Sequence, residues 1–184
     1  MIRYDGCFDF SCPPRTGTAW VLGACQLAGL GPGFRHQAHV PFPVREHHDT
    51  LRVTLVRHPC DWLASCYAVI KRGSMDTNHL GAFEGLGRSC FDDFVRAYCY
   101  NMEGGIGKLF HIYIQGADSC LRIEDMPWAL LELLESCGVP EDARKRFATL
   151  GKQNVSPSLP TWDNKLRKRV LEAEGEIVEH FDYY

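Results

Sequence analysis

The sequence predicts an α/β protein, a three-layer α/β/α arrangement with a mainly parallel central sheet. The prediction rests on a strand-like run that is followed by a loop and a helical run, a pattern that occurs twice, over residues 7–30 and 51–71. A strand that returns to its sheet through a helix lies parallel to its neighbour, and helices then cover both faces. Ligands are expected at the carboxyl ends of such strands.

Both strand–helix units have clear local boundaries. Residues 7–12 (CFDFSC) end at two prolines, which cannot continue a strand, and the apolar helix over 20–30 closes at a Gly-Pro-Gly sequence. Residues 51–56 (LRVTLV) are rich in β-branched side chains and stop at Arg57-His58-Pro59, after which residues 61–71 have an amphipathic helical pattern. Trp20 and Trp62, at the helix starts, are interpreted as core anchors rather than platforms for an adenine ring.

The second half of the chain is rich in predicted helices. Helices are expected over residues 91–101, 140–150 and 164–180, and a further strand over 119–123. Asp125 is predicted to cap a helix that has Pro127 in its first turn and ends near Gly138. Residues 109–115 (LFHIYIQ) alternate as a strand would, but they also fit a buried helical segment, so both structures remain open.

Composition narrows the class of protein. The chain has 184 residues, 45% hydrophobic and 23% charged, which predicts a single domain over residues 1–184. A net charge of −3 argues against a nucleic-acid partner. No apolar run is long enough to span a membrane and no signal peptide is evident, so a cytoplasmic protein is expected. The nine cysteines are odd in number and form no CxxC pair, which favours reduced thiols over disulfides or zinc.

Two short motifs have the chemistry of an anion site. Residues 13–20 (PPRTGTAW) lie between a predicted strand and helix, where backbone amides and the helix dipole favour an anion. Gly17 has no side chain, so an anion can approach the backbone closely, and Arg15, Thr16 and Thr18 add hydrogen-bond donors. Taken alone, however, the segment also fits an ordinary turn with a surface arginine. After the second strand, Arg57 and Ser65 are spaced as RxPxDxxxS and can hold one phosphate between them.

Together, PRTGTAW and VRHPCDWLASCY resemble the two nucleotide signatures of sulfotransferases that use 3′-phosphoadenosine 5′-phosphosulfate (PAPS). The resemblance implies a P-loop NTPase-like sulfotransferase fold. It also implies that Arg57 and Ser65 grip the 3′-phosphate, while the 5′-phosphosulfate is cradled by Arg15, Thr16, Gly17, Thr18, Ala19 and Trp20.

Two further segments match this family in the same order. Residues 38–41 (AHVP) look like its THLP segment, which makes His39 the general base, and residues 121–126 (LRIEDM) look like its LRYEDL segment. The resemblance implies transfer of a sulfuryl group from PAPS to a hydroxyl or amine acceptor by in-line displacement, with His39 and Arg15 as catalytic residues. Adenosine 3′,5′-bisphosphate (PAP) is the implied product, and no metal is required.

The sequence also departs from the family. Arg15 and Gln37 stand where lysines are common, and Ile123 replaces a tyrosine that touches the adenine. A catalytically degenerate PAPS- or PAP-binding domain therefore remains an alternative. So does a small P-loop kinase, although GxxxxGK[ST] is absent.

The acceptor, a small molecule or a glycan, is not specified by the sequence, and neither is the oligomeric state. Residues 73–88 are the candidate lid over the acceptor. His47 and His48 are interpreted as solvated residues rather than a metal pair.

Overall fold

A computed structural model describes residues 2–4, 7–30, 32–35, 39–43, 50–73, 90–148 and 159–184. Its internal contacts divide the chain into two compact units. The first comprises Met1–Arg57 with Phe110–Val155, and the second comprises His58–Leu109 with Ser156–Tyr184. One domain over residues 1–184 stays a prediction. Gln37, the His47–His48 pair and residues 74–88 of the candidate lid lie outside the described residues.

The first unit contains a five-stranded sheet in the order β3-β1-β2-β4-β5. Strands β2, β4 and β5 are parallel, whereas β1 is antiparallel to both of its neighbours. The α/β class and a parallel core are therefore confirmed, but the sheet as a whole is mixed. Only three residues separate β1 from β2, and so short a connection joins antiparallel strands. The strands are β1 (Ile2–Tyr4), β2 (Phe8–Phe10), β3 (Pro32–Arg35), β4 (Leu51–Val56) and β5 (Ser119–Arg122).

Eight α-helices occur in the described part of the chain, and a short 3₁₀ turn over Ile123–Asp125 follows β5. Every predicted helix has a counterpart whose ends lie within a few residues of the predicted ones, except that the helix predicted over 164–180 is divided in two. The helices are α1 (Thr18–Leu27), α2 (Pro59–Lys71), α3 (Phe91–Asn101), α4 (Gly105–Ile114), α5 (Trp128–Ser136), α6 (Glu141–Ala148), α7 (Asn164–Ala173) and α8 (Gly175–His180).

The core of the first unit joins the sheet to α1, α5 and α6. Phe8, Phe10 and Leu55 contribute from the strands and are at most 1% exposed. Trp20 of α1 packs edge-on against Phe147 of α6 with ring centroids 5.3 Å apart. Each such buried side chain stabilises the fold by roughly 1.5–3 kcal/mol. The interpretation of Trp20 as a core anchor is confirmed.

The second unit is helical, and α2, α3 and α7 pack against one another. Trp62 of α2 is buried, as predicted for a core anchor. Phe91 of α3 joins an aromatic group, with its ring 4.8 Å from Trp162 and 5.2 Å from Tyr67. Aromatic packing of this kind explains how the unit holds together without strands among its described residues.

Three local predictions are resolved or corrected. Residues 109–115 fall mostly in helix α4, so the helical alternative is right. Asp125 does not cap α5; it forms a bidentate ion pair with Arg122 inside the 3₁₀ turn, and Pro127 occupies the capping position. The single helix over 164–180 is two helices, because Glu174 leaves helical geometry and is buried.

All nine cysteines are free thiols, and five of them are buried. Burial raises the pKa of Cys25 and of Cys60 to about 12, so these thiols are protonated at neutral pH. Among the described helices, none is long and apolar enough to cross a membrane.

Candidate functional site

The candidate site lies in the first unit, at the edge where the parallel strands end. Phe10 pairs with Val53 in the next strand, and Val56 pairs with Arg122 in the strand after that. The carboxyl ends of β2, β4 and β5 therefore open at one edge of the sheet. The segments that follow these ends carry the PPRTGT loop, Arg57 and Ile123, respectively.

The loop after β2 has an unusual backbone. Arg15 and Gly17 both have positive φ angles, 68° and 99°, on either side of Thr16. For Arg15 this left-handed conformation costs about 1–2 kcal/mol, so surrounding contacts must hold it. Thr16 is fully buried, and its hydroxyl donates to the carbonyl of Pro13 at 2.6 Å. The Thr16 hydroxyl thus braces the loop from within.

Gly17 is the residue from which helix α1 starts. No side chain caps this helix end, and its first turn contains no acidic residue. Its leading amides and the positive end of the helix dipole thus have no carboxylate of the first turn beside them. A Cβ atom at Gly17 would lie 2.4 Å from Cδ1 of Ile123, which follows β5. Gly17 therefore allows both the backbone turn and the close packing of Ile123.

Arg57 reaches the same loop from the end of β4. Its Nη1 donates to the carbonyl oxygen of Arg15 at 3.1 Å. The bond fastens the strained residue of the loop and brings a second guanidinium to it. Although the chain is acidic overall, the loop is thus flanked by two permanent positive charges.

His39 also contacts the start of the loop. Its Nδ1 lies 2.9 Å from the carbonyl oxygen of Cys12. A carbonyl oxygen only accepts, so Nδ1 must donate, and in the neutral ring the lone pair then resides on Nε2. This is the tautomer in which Nε2 can accept a proton. The bond joins two residues 27 positions apart and places the imidazole beside the loop.

The Cys12 thiol is in direct contact with hydroxyls of the loop. Its sulfur lies 2.9 Å from Oγ1 of Thr18. Burial raises the pKa of Cys12 to about 11, partly opposed by hydrogen bonds to Thr16 and Thr18. The group is therefore a neutral thiol at physiological pH and supplies no nucleophile.

The structure brings together most of the predicted site residues. Arg15, Thr16, Gly17, Thr18 and Ala19 form the loop and the first turn of α1, and Trp20 follows with its ring in the core. His39 and Arg57 contact this loop. Ser65 is buried on α2 in the second unit, so its pairing with Arg57 stays a prediction.

Two further residues contact the His39 segment and were not singled out from the sequence. The hydroxyl of Ser11 donates to the carbonyl of Val40 at 2.5 Å, and the hydroxyl of Tyr113 donates to the carbonyl of His39 at 2.8 Å. No spacing rule reveals such contacts, because they join residues distant in the sequence. The only sequence signal is that Ser11 lies close before the PPRTGT loop, separated from it by Cys12.

No cluster of three potential metal ligands occurs within the ranges that the structure describes. Comparison with protein-family models, with curated proteins and with solved structures finds no match for this chain. The geometry of the site and the two motifs are therefore the basis for assigning a function.

Proposed function

We propose that this protein is a PAPS-dependent sulfotransferase, in which the mixed sheet forms the middle layer of a three-layer, P-loop NTPase-like fold. The observation that carries the proposal is the hydrogen bond between His39 Nδ1 and the carbonyl of Cys12. A histidine whose remaining lone pair is on Nε2 stands beside a loop suited to an anion. Sulfuryl transfer to a hydroxyl needs a base and an anion cradle in this proximity.

The donor set of the loop fits a phosphosulfate. The uncapped start of α1, the positive φ angles of Arg15 and Gly17, and two nearby guanidinium groups all favour a bound anion. Arg57 is assigned to the 3′-phosphate because a guanidinium fork matches its oxygens. Arg15 takes the place of the lysine common in the family and supplies charge without serving as an acid.

In the proposed reaction an acceptor hydroxyl oxygen attacks the sulfur of PAPS, and the bond from sulfur to the 5′-phosphate oxygen breaks. His39 Nε2 takes the hydroxyl proton, an effect typically worth about 10²–10⁴-fold in rate. Arg15, the Thr18 hydroxyl and the leading amides of α1 stabilise the negative charge that grows on the leaving phosphate. PAP and the sulfated acceptor are the products, so atoms and charge balance without a metal.

Calorimetric titration without added metal tests the proposal. PAP, its 2′,5′ isomer and ADP are titrated into the purified protein in parallel. Micromolar binding of PAP, with clearly weaker binding of the other two, supports a PAPS site that reads the 3′-phosphate. Equal binding of ADP, or preference for ADP with magnesium, would contradict it and favour the kinase.

A second measurement separates an enzyme from a degenerate binding domain. PAPS is incubated with the protein and a panel of phenol, sugar and amine acceptors, and PAP release is followed. Release that depends on an acceptor indicates turnover. Tight PAP binding without release under any condition would leave a PAP-binding domain as the function.

A further inference from the structure

The short segment that carries His39 is fixed at several points. The ring of His39 bonds to Cys12, and the hydroxyls of Ser11 and Tyr113 bond to the carbonyls of Val40 and His39. Ser11 and Tyr113 are both buried. Because each donor is itself held in the core, the two peptide groups that follow His39 have little freedom to turn.

Side-chain packing also holds the same segment at Phe42, a little further along the chain. Phe42 is buried against Gly116, just after α4 ends, where an added Cβ would lie 2.7 Å from both the Cβ and the carbonyl oxygen of Phe42. Only glycine allows this approach. The end of α4, with Tyr113 and Gly116, therefore forms the surface on which the His39 segment rests.

We propose that Tyr113 is the positioning residue of His39: its hydroxyl holds the His39 carbonyl so that the ring keeps its Nδ1–H bond to Cys12 and carries its lone pair on Nε2. The inference rests on the proposed function for its catalytic meaning. The tautomer that it describes is nonetheless a property of the free protein.

The chemistry of the tyrosine suits this role. Burial, with a smaller contribution from nearby Cys12, raises the pKa of Tyr113 to about 12, so the phenol remains a proton donor throughout the working pH range. The His39 carbonyl is half-buried, so when it loses its donor it tends to turn towards another partner. Rotation of the His39 peptide would carry the imidazole away from Cys12.

The test is a nitrogen-15 spectrum of the histidine rings, recorded at alkaline pH. In the wild-type protein, His39 should show a protonated Nδ1 and an unprotonated Nε2. Tyr113→Phe, which keeps the ring and removes only the hydroxyl, should move both nitrogens towards the averaged values of a free imidazole. Tyr100→Phe, an exposed change on α3, is the matched control and should leave them unchanged.

Activity and binding separate positioning from general stability. Tyr113→Phe should lower kcat about five- to tenfold, the effect of one hydrogen bond, while the KM for PAPS and the affinity for PAP stay unchanged. Thermal unfolding of each variant confirms that it is folded. Gly116→Ala should also move the His39 signals, because its new Cβ displaces Phe42 and with it the segment that carries His39.

The results distinguish this inference from the proposed function. A wild-type His39 protonated at Nε2, or a folded Tyr113→Phe protein with an unchanged His39 spectrum, overturns the positioning role whatever the protein binds. Absence of PAP binding overturns the sulfotransferase proposal and leaves the tautomer result standing. Should Tyr113→Phe not fold, the wild-type spectrum still overturns the inference if it shows His39 protonated at Nε2.

Discussion

The Arg57 guanidinium donates a hydrogen bond to the backbone carbonyl of Arg15, 42 residues earlier in the chain. The bond links the end of β4 to the loop after β2 and holds the loop residue that has a positive φ angle. A ligand that engages Arg57 would therefore also affect the loop. In the proposed complex, Arg57 would thereby link the 3′-phosphate to the loop that holds the 5′-phosphosulfate.

Replacing Arg57 tests the 3′-phosphate assignment. Arg57→Ala should weaken PAP binding by about 10–100-fold, the loss of a charge-assisted hydrogen bond, and ADP binding much less. Arg57→Lys should have a PAP affinity between those of wild type and Arg57→Ala, because lysine keeps the positive charge but lacks the forked guanidinium group. Calorimetry provides the measurement, with the exposed Arg96→Ala on α3 as control. Equal losses for PAP and ADP would remove Arg57 from the 3′-phosphate.

His39 is expected to act in chemistry rather than in binding. His39→Gln should reduce acceptor-dependent PAP release from PAPS by about 10²–10⁴-fold and leave PAP affinity within about twofold of wild type. Glutamine keeps a polar side chain of similar size but cannot take up a proton. The exposed His180→Gln on α8 is the matched control. If PAP affinity falls in parallel with the rate, the histidine is structural.

Gly17 provides a test of the loop geometry. Gly17→Ala should destabilise the protein by about 1–2 kcal/mol, because a side chain is strained at its φ angle of 99°. It should also lower PAP affinity, since Cδ1 of Ile123 must turn away from the new Cβ.

Gly29→Ala is the matched control for this change, because Gly29 has a φ angle of 80° but nothing within 4 Å of an added Cβ. Gly29→Ala should reduce stability without affecting PAP binding. Combining Gly17→Ala with Ile123→Val, which removes Cδ1, should restore part of the affinity. Equal effects of Gly17→Ala and Gly29→Ala on PAP affinity would contradict a role for the contact between Gly17 and Ile123.

Glu174 gives a prediction about pH. Its carboxyl is buried in the second unit, where the amide of Gly107 donates to it at 2.7 Å and the hydroxyl of Tyr98 also donates to it. Burial raises the pKa of Glu174, and these hydrogen bonds oppose the shift only in part. The folded state therefore binds this proton more tightly than the unfolded chain does.

The direction in which stability changes with pH follows from proton linkage. The stabilising contribution of Glu174 is fully present below its ordinary pKa of 4.5 and is lost as pH rises through the raised value of the folded protein. Glu174→Gln should therefore flatten the dependence of unfolding free energy on pH above about 4.5. Urea unfolding from pH 4 to 8 measures this dependence of the unfolding free energy, and the exposed Glu176→Gln is the control. Identical pH profiles for Glu174→Gln and wild type would rule out this titration.

Much of the first unit follows from local sequence patterns. The strand at 51–56 matches the predicted bounds, and the runs around β2, α1 and α2 have strong breakers at their ends. Their order predicts the parallel pairing of β2 with β4, and with it the meeting of the PPRTGT loop and Arg57 at one edge. Prolines, glycines and apolar periodicity act over a few residues, so the sequence alone determines these elements.

The tertiary structure alone decided the rest. Strands β1 and β3 are short and weakly patterned, the run at 109–115 fits two structures, and α7 and α8 separate where Glu174 turns into a buried site 67 residues away from Gly107. The bonds from Cys12 and Tyr113 to His39 span 27 and 74 residues. A hydrogen bond between distant residues forms only when the packed core brings donor and acceptor together, and no local pattern encodes that approach.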